Sequence, residues 1–315
     1  MPGSLARLPG LSLLAAGCAV AVCSVAGCSV AGPPASQPSR AAAAPATSTP
    51  PRLRPSPSPT VPVSVIPAMG RDPAHLAGQL TAAETILGHS DASPAAISRQ
   101  ALTVELVCLR LALHRGWAGS VLSQVAPAQR AAAASDIAGA ADLVALTAPR
   151  TQLPPWQIIP AASLATLRAS YQAAQAATGV GWSYLAAINF VETDFGRIIG
   201  PSSAGAQGPM QFLPATWAIY GHGDIYRPRD AIMAAARFLA DHGAPGDIGS
   251  ALFAYNPSWM YVDAVMRYAG RLRADPLALT GYYSRSVIFR LGSGWVLLPP
   301  GYGTSPAVRP IWLRL

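Results

Sequence analysis

The residue of this chain best suited to chemistry is a single glutamate, Glu192. It ends an apolar run of helix-forming residues that begins at Trp182. Its apolar neighbours are Phe190, Val191 and Phe195. The negative end of a helix dipole and apolar surroundings both disfavour a carboxylate, so we expect a raised pKa. A carboxylic acid that keeps its proton near neutral pH can protonate a leaving oxygen. Its position alone is equally compatible with a surface glutamate at a fraying helix end.

A loop of small residues follows the glutamate and brings polar groups with it. Residues 202–209 read Ser-Ser-Ala-Gly-Ala-Gln-Gly-Pro, so their backbone can approach a ligand closely. Gln211 then offers an amide between Met210 and Phe212. Apolar walls with a few convergent polar groups suit a sugar. The alternative is a plain connecting loop before a helix that begins at Pro214.

Three motifs lie in order along the second half of the chain. They are Glu-Thr with a glycine shortly after (192–196), Ser-x-Gly-Ala-x-Gly-Pro-Met-Gln (203–211) and Ala-Tyr-Asn (254–256). Together they resemble the catalytic domain of bacterial lytic murein transglycosylases, which are relatives of goose-type lysozyme. The resemblance covers about residues 165–275, and the three motifs in order are much more specific than any one alone. One departure is Pro257-Ser258, where many members have Ala-Gly.

The resemblance implies a function and a role for each residue. Glu192 is expected to protonate the oxygen of the β-1,4 bond between N-acetylmuramic acid and N-acetylglucosamine. It is then expected to take a proton from the muramoyl C6 hydroxyl, which attacks the anomeric carbon. The product is a 1,6-anhydro sugar, and no water is consumed. Tyr255 is expected to orient Glu192. The implied substrate-binding residues are Ser203, Gly208, Met210, Gln211, Tyr255 and Asn256.

Most glycosidases use two carboxylates, so a second one bears on the reaction. Asp194 is nearest in sequence, but residues two apart on a helix do not share a face. We expect it to face solvent or to pair with Arg197. The other nearby acids fall in loops or at helix ends, where aspartate commonly caps. They are Asp224, Asp230, Asp241 and Asp247.

Three alternative functions remain open from the sequence. The first is a hydrolytic muramidase on the same scaffold, which needs a second carboxylate or a group that positions water. The second is a non-catalytic peptidoglycan-binding lipoprotein, which is disfavoured because Glu192 is present. The third is a scaffold protein that binds partners through its front helices.

The first 70 residues indicate export and a tether. Residues 1–27 have a basic residue followed by an apolar run, which is the pattern of a signal peptide. Val-Ala-Gly-Cys at 25–28 resembles a bacterial lipobox, so Cys28 is the expected lipidation site. The protein is then a membrane lipoprotein that faces the cell wall. An ordinary cleaved signal or an uncleaved anchor helix are the alternatives. Residues 28–70 are rich in Pro, Ala and Ser and predict a disordered linker.

Composition limits the partners. The formal net charge is +8, which favours an anionic environment such as a cell wall or membrane surface. The basic residues form no compact run, so nucleic acid is not an expected partner. The histidines are scattered without metal-ligand spacing, so we predict no metal and no cofactor. Cys108 lies in an apolar helical run and is expected to be a buried small hydrophobe.

The fold class predicted is mostly α, because alanine is abundant and favours helices. We expect a helical module (71–150), a lysozyme-like domain (155–275) and a short β-like extension (276–315). The extension includes a hairpin around Gly-Ser-Gly at 292–294. Glu84 and Glu105 in the module are expected on solvated faces. The module either packs against the later part of the chain or binds a partner, such as a protein of cell-wall synthesis or division.

Overall fold

The structure is a computed structural model that describes residues 66–315. The signal segment, Cys28 and nearly all of the linker lie outside the described residues. The described part is mostly α-helical, as predicted, and no helix in it is long and apolar enough to cross a membrane. The helices are α1 (Pro73–Leu87), α2 (Pro94–Leu113), α3 (Ala118–Gln124), α4 (Pro127–Leu146), α5 (Leu164–Thr178), α6 (Trp182–Thr193), α7 (Pro214–Tyr220), α8 (Pro228–Asp241), α9 (Ile248–Tyr255), α10 (Trp259–Ala274) and α11 (Ala278–Tyr283). The strands are β1 (Gln157–Ile158), β2 (Ile198–Ile199), β3 (Val287–Leu291), β4 (Gly294–Leu298) and β5 (Ile311–Leu313).

Local sequence signals set where several helices begin. Asp72 caps α1 by accepting the backbone N–H of His75 at 2.9 Å, and Ser93 caps α2 in the same way. A proline follows each cap, at a helical position whose N–H has no intrahelical partner. Asp247 caps α9 through the N–H of Ser250 at 3.0 Å. Each of these starts follows from a capping side chain in the local sequence. The short helix α3 was not predicted.

The front helices share one hydrophobic core with the rest of the described chain. Leu106 on α2 and Leu143 on α4 belong to the same buried cluster as Ile188 on α6 and Tyr268 on α10. The closest approach is at Gly139, where an added Cβ would lie 2.8 Å from the ring of Tyr268. Helices α4 and α10 therefore touch at a point where a side chain does not fit. The front module packs on the later helices, which was one of its two interpretations.

The two glutamates of this module are buried, so the expectation that they lie on solvated faces is wrong. Glu84 is 5% exposed and accepts a hydrogen bond from Arg271 of α10 at 3.1 Å. Glu105 is 7% exposed and accepts the backbone N–H of Ser286 at 3.1 Å. Both partners are more than 180 residues away along the chain. A local helical pattern carries no information about such partners.

A third buried acid, Asp136, also joins the front helices to the later part of the chain. Asp136 on α4 accepts a hydrogen bond from the Tyr282 hydroxyl at 2.5 Å and pairs with Arg285 at 2.6 Å. The guanidinium of Arg285 also lies 4.7 Å from the centroid of the Tyr282 ring. Buried charges persist when they are paired and hydrogen-bonded. These contacts attach α4 to α11 and to the segment that leads into β3.

The C-terminal extension packs on the body of the protein. Strands β3 and β4 form the predicted hairpin, and β5 adds a third antiparallel strand that was not predicted. Helix α11 was also not predicted. Phe289 of β3 packs edge-on against Trp156 at 5.3 Å between ring centroids. Ile158 of β1 and Ile198 of β2 belong to the same buried cluster as Phe289 and Trp156, so the extension covers the short β1–β2 pair, whose second strand follows α6.

Glu105 gives a prediction about stability and pH. Burial raises the pKa of Glu105 from 4.5 to about 8, against the opposing effect of Arg285. The folded state therefore holds a proton that the unfolded chain releases, and stability falls as pH rises through this window. Glu105→Gln keeps an acceptor for the Ser286 N–H and carries no charge. We expect it to remove ~1–3 kcal/mol of the stability loss between about pH 5 and pH 8, measured by urea unfolding.

The matched control is Asp91→Asn, since the side chain of Asp91 is 89% exposed. It should leave the pH dependence of wild type unchanged. Parallel stability curves for wild type and Glu105→Gln would contradict the assignment of a buried, protonated carboxyl at this position.

Candidate active site

Glu192 is completely buried one residue before the end of α6. The backbone turns away directly after the helix, because Asp194, Phe195 and Gly196 have φ values of 50°, 63° and 81°. A non-glycine residue in this left-handed region costs of order 1–3 kcal/mol, and such strain persists only where surrounding contacts fix it. Here Phe195 stacks on Phe190 with 5.5 Å between ring centroids. The strained turn therefore holds the last turn of α6 in one conformation.

Asp194 makes the pair with Arg197 that was one of its two predicted environments. Their side chains meet at 3.1 Å, and Asp194 is 1% exposed. Arg197 also donates to the backbone carbonyls of Asp194 and Tyr283. Burial raises the pKa of Asp194 to about 6, and Arg197 opposes that rise. The pair ties the strained turn to the C-terminal end of α11.

The loop after the turn is held on α6 by one backbone acceptor. The carbonyl oxygen of Pro209 accepts hydrogen bonds from Asn189 Nδ2 at 2.8 Å and from Thr193 Oγ1 at 2.6 Å. The Tyr171 hydroxyl donates to Asn189 Oδ1 at 2.7 Å and thereby fixes the amide. All of these side chains are buried. The Glu-Thr motif thus has a structural reason, because the threonine beside the glutamate fastens the loop.

The loop's own conformation depends on its small residues. Ser202 Oγ accepts the backbone N–H groups of Ala204 and Ala206 at 3.2 and 3.0 Å. Gly208 has φ +73°, and an added Cβ there would overlap the carbonyl oxygen of Ile225. Glycine is therefore required at 208 both for its backbone angle and for the close approach of the next loop.

A pair of parallel tyrosine rings lies at the other side of Glu192. The Tyr261 hydroxyl donates to Glu192 Oε1 at 2.9 Å. The Tyr255 hydroxyl donates to the carbonyl of Met210 at 2.6 Å, and the two rings stack at 6.5 Å. Burial, and next the charge of Glu192, raise the pKa of both tyrosines. Both hydroxyls therefore stay protonated and can act as donors.

The family resemblance implies an orienting role for Tyr255, and the structure adds Tyr261, whose hydroxyl donates to Oε1 of Glu192. Tyr261 repeats at helical spacing with Val265 and Tyr268, a pattern typical of core residues. It is indeed fully buried. The signal that could have identified it is its hydroxyl, since a buried tyrosine hydroxyl usually finds a partner. Tyr255 fixes the loop through Met210, and its role in orienting Glu192 stays a prediction.

Asn256, next to Tyr255 in the chain, has a side-chain amide without a hydrogen bond among the described residues. It follows α9, is 1% exposed, and neither polar atom of its side chain has a hydrogen-bond partner among the described residues. An amide offers both a donor and an acceptor. Leaving such a group buried without a partner costs about 1–3 kcal/mol. A ligand with an amide or hydroxyl groups would remove that cost.

The remaining residues predicted to bind the substrate differ in exposure. Ser203 is exposed, whereas Met210 and Gln211 are buried. Gln211 has φ 49°, and its Nε2 donates to the carbonyl of Gly208 at 3.0 Å. These contacts make Gln211 part of the loop's own framework. Contact between any of these residues and a ligand stays a prediction.

The other carboxylates that the sequence named have local partners. Asp230 Oδ2 accepts the N–H of Asp224 at 3.1 Å, and Asp224 Oδ1 accepts the N–H of Tyr226 at 2.9 Å. Asp241 accepts the Tyr220 hydroxyl at 2.6 Å. Asp247 caps α9. Each acid thus has a structural contact. Among residues 66–315, no group of three His, Cys, Asp or Glu side chains is arranged to hold a metal ion.

Comparison with known proteins identifies the class to which this site is similar. Residues 169–275 match the family model of the transglycosylase SLT domain. The match contains Glu192, the loop that follows it, Tyr255, Asn256 and Tyr261. It confirms the family resemblance over this segment, which is about a third of the chain.

A curated relative gives the more particular likeness. Over 121 residues the chain is 31% identical to the membrane-bound lytic murein transglycosylase F of Thiobacillus denitrificans. The alignment covers 36% of this chain and 26% of the relative, so the chain spans about a quarter of that protein's length. No solved structure gives a significant match.

Two glycines of the loop provide a matched pair of variants. Gly205 and Gly208 have φ values of +81° and +73°, but an added Cβ at Gly205 meets nothing within 4 Å. Gly205→Ala is expected to cost only the left-handed strain, ~1–2 kcal/mol. Gly208→Ala adds the overlap with Ile225 and is expected to cost ~3 kcal/mol or more. Denaturant unfolding measures both values, and equal costs would contradict the close approach at Gly208.

Proposed function

We propose that this protein is a peptidoglycan lytic transglycosylase in which Glu192 is the single catalytic acid and base. The observation that carries the proposal is the placement of Glu192. It is a fully buried carboxyl group with a tyrosine hydroxyl at one oxygen, inside the segment that matches the transglycosylase SLT domain. Burial among apolar groups favours the protonated acid that the first step requires.

The proposed reaction has two proton transfers at the same carboxyl group. Glu192 first donates its proton to the oxygen of the β-1,4 bond between N-acetylmuramic acid and N-acetylglucosamine, and the bond from that oxygen to the anomeric carbon breaks. The carboxylate then takes the proton of the muramoyl C6 hydroxyl. The oxygen of that hydroxyl bonds to the anomeric carbon and closes a 1,6-anhydro ring. Glu192 ends protonated, and no water enters.

Tyr261 supports both steps by keeping the carboxyl group in one orientation. Its hydroxyl bonds Oε1 at 2.9 Å, and its own ring is fixed by complete burial beside Tyr255. Preorganised groups of this kind lower a barrier because they need no reorientation during the reaction. The carboxyl group can therefore face the leaving oxygen and then the C6 hydroxyl without rotating.

Asn256 is the group that best suits the substrate's N-acetyl substituent. Its buried amide has a free donor and a free acceptor among the described residues, and an acetamido group complements both. The net charge of +8 agrees with work on an anionic cell wall.

The alternative reaction on this scaffold is hydrolysis by a muramidase. It needs a second carboxylate or another group that activates water. The aspartates that the sequence offered for this role are engaged in caps, in loop contacts or with Arg197. That engagement favours attack by the substrate's own hydroxyl.

We further propose that the protein is exported and anchored by a lipid at Cys28. The Val-Ala-Gly-Cys motif supports this location, and the curated relative is described as membrane-bound. Proteins of cell-wall synthesis or division are proposed partners.

A Cys28→Ser variant is expected to leave the membrane fraction; retention there would contradict lipid anchoring.

The main test of the proposed function is mass spectrometry of the products released from purified peptidoglycan. Wild type is expected to release muropeptides that are lighter than hydrolytic ones by one water. Glu192→Gln keeps the shape of the side chain but cannot donate the proton, so it should release none. Reducing-end products would instead identify a muramidase. Release of anhydro products by Glu192→Gln would contradict the role of Glu192.

A second test separates orientation from structure at Tyr261. Tyr261→Phe removes the hydroxyl that donates to Oε1. That donor stabilises the carboxylate, so its loss should raise the pKa of Glu192. We expect kcat to fall ~10–100-fold and the basic limb of the pH–rate profile to move to higher pH.

Tyr220→Phe is the matched control, because it removes a hydroxyl that donates to Asp241. It should leave both the rate and the profile unchanged. A Tyr261→Phe enzyme with the wild-type pH profile would contradict the proposed contact with Glu192.

A further inference from the structure

Two aromatic residues that have no part in the mechanism above flank the Ala-Tyr-Asn motif: the half-buried Phe253 and the exposed Trp259. Trp259, the first residue of α10, is 61% exposed. Its ring packs against Phe253 of α9 in a tilted arrangement, with 4.7 Å between ring centroids and 30° between the planes. Met260 beside it is 47% exposed. Large apolar side chains that cluster at a surface commonly mark a binding site.

The pair is close to the unpartnered amide of Asn256. Only two residues lie between Asn256 and Trp259, so their Cα atoms are at most ~11 Å apart. The turn between them is tight, because Ser258 donates its N–H to the carbonyl of Asn256 at 2.7 Å. The same turn contains Pro257-Ser258, where the sequence departs from the pattern common in the family. The aromatic pair is thus a feature of this chain that lies beside Asn256, a proposed substrate-binding residue.

The polar groups around the pair favour a sugar. Asp263 is exposed one turn along α10 from Trp259, and residues four apart share a helix face. Its carboxylate can accept hydrogen bonds from hydroxyl groups, while the indole N–H of Trp259 can donate one. A flat apolar surface with a polar rim complements a pyranose ring, which has C–H groups on its faces and hydroxyls at its edge.

The charged residues near Trp259 argue against an anionic membrane as the ligand of this surface. The first turn of α10 has no basic residue, and Asp263 adds a negative charge beside Trp259. The nearest arginine along the helix, Arg267, is paired with Asp142 at 2.9 Å. Attraction to anionic lipids needs basic residues near the surface.

We propose that Trp259, supported by Phe253, is a stacking platform for an N-acetylhexosamine ring of the glycan strand, outside the rings that flank the cleaved bond. The inference rests on the proposed function, since it assigns that enzyme's polymeric substrate a further contact. The platform gives longer glycans an additional ring contact that a disaccharide is too short to make. It therefore contributes to binding of the strand and not to the proton transfers.

The test measures binding without cleavage. All proteins carry Glu192→Gln, and the probes are β-1,4-linked N-acetylglucosamine oligomers, a hexamer and a dimer, together with insoluble peptidoglycan. Adding Trp259→Ala is expected to weaken binding of the hexamer about tenfold and of the dimer less than twofold. Adding Trp259→Phe, which keeps an aromatic ring, should retain most of the affinity.

Trp312→Ala is the matched control, because Trp312 on β5 is similarly exposed at 57%. It should not change binding of the hexamer. Equal affinities with and without Trp259 overturn the platform, as does an equal loss in Trp312→Ala. If the Glu192→Gln protein without a further substitution binds neither the hexamer nor peptidoglycan, the platform is also overturned. A loss seen only with anionic lipid vesicles would make the pair a membrane contact and overturn the sugar assignment.

Failure of the proposed function is distinguishable from these outcomes. It would appear as no product from wild type on peptidoglycan, while the binding measurements need no catalysis. Wild-type cleavage with unchanged binding in Trp259→Ala would retain the enzyme and reject the platform.

Discussion

The candidate site depends on one backbone carbonyl, that of Pro209, which two side chains of α6 bind together. Asn189 and Thr193 donate to it from successive turns, so the loop cannot leave the helix without exposing three buried polar groups. Each such group costs about 1–3 kcal/mol when it loses its partner. The constraint fixes the loop beside Glu192, which lies directly before Thr193 in the chain. It also explains why the helix ends in a strained left-handed turn there, since the chain must reverse to bring the loop back.

The opposite side of the site depends on the position of α10. That helix carries Tyr261, whose hydroxyl contacts Glu192, and it packs against α4 at Gly139. Buried ionic contacts then attach the front helices to α10, through Arg271, and to the segment directly after α11, through Arg285. The front module therefore acts on the site at a distance, because it fixes the helix that holds the carboxyl group in place. Its buried acids are part of this support.

Features encoded locally could be predicted from the sequence. The starts of α1 and α2 follow from a capping residue and a proline, and the β3–β4 hairpin from a glycine-rich turn between apolar runs. The position of Glu192 at the end of an apolar helix fitted a surface glutamate equally well, and only the small-residue loop and the three ordered motifs made it the candidate. The contacts of Tyr261, Glu84 and Glu105 could not be predicted, since they connect residues tens to hundreds of positions apart. The types of these residues fit a core or a solvated face equally well until those partners are known.

In the proposed mechanism, one buried carboxyl group drives attack by a hydroxyl of the substrate itself. The most direct measurement is digestion of purified peptidoglycan in water labelled with heavy oxygen, followed by mass spectrometry of the released muropeptides. No heavy oxygen is expected to enter the new ends, because the C6 hydroxyl supplies the attacking oxygen. One labelled oxygen at each new reducing end would contradict this mechanism and would assign the same site to hydrolysis.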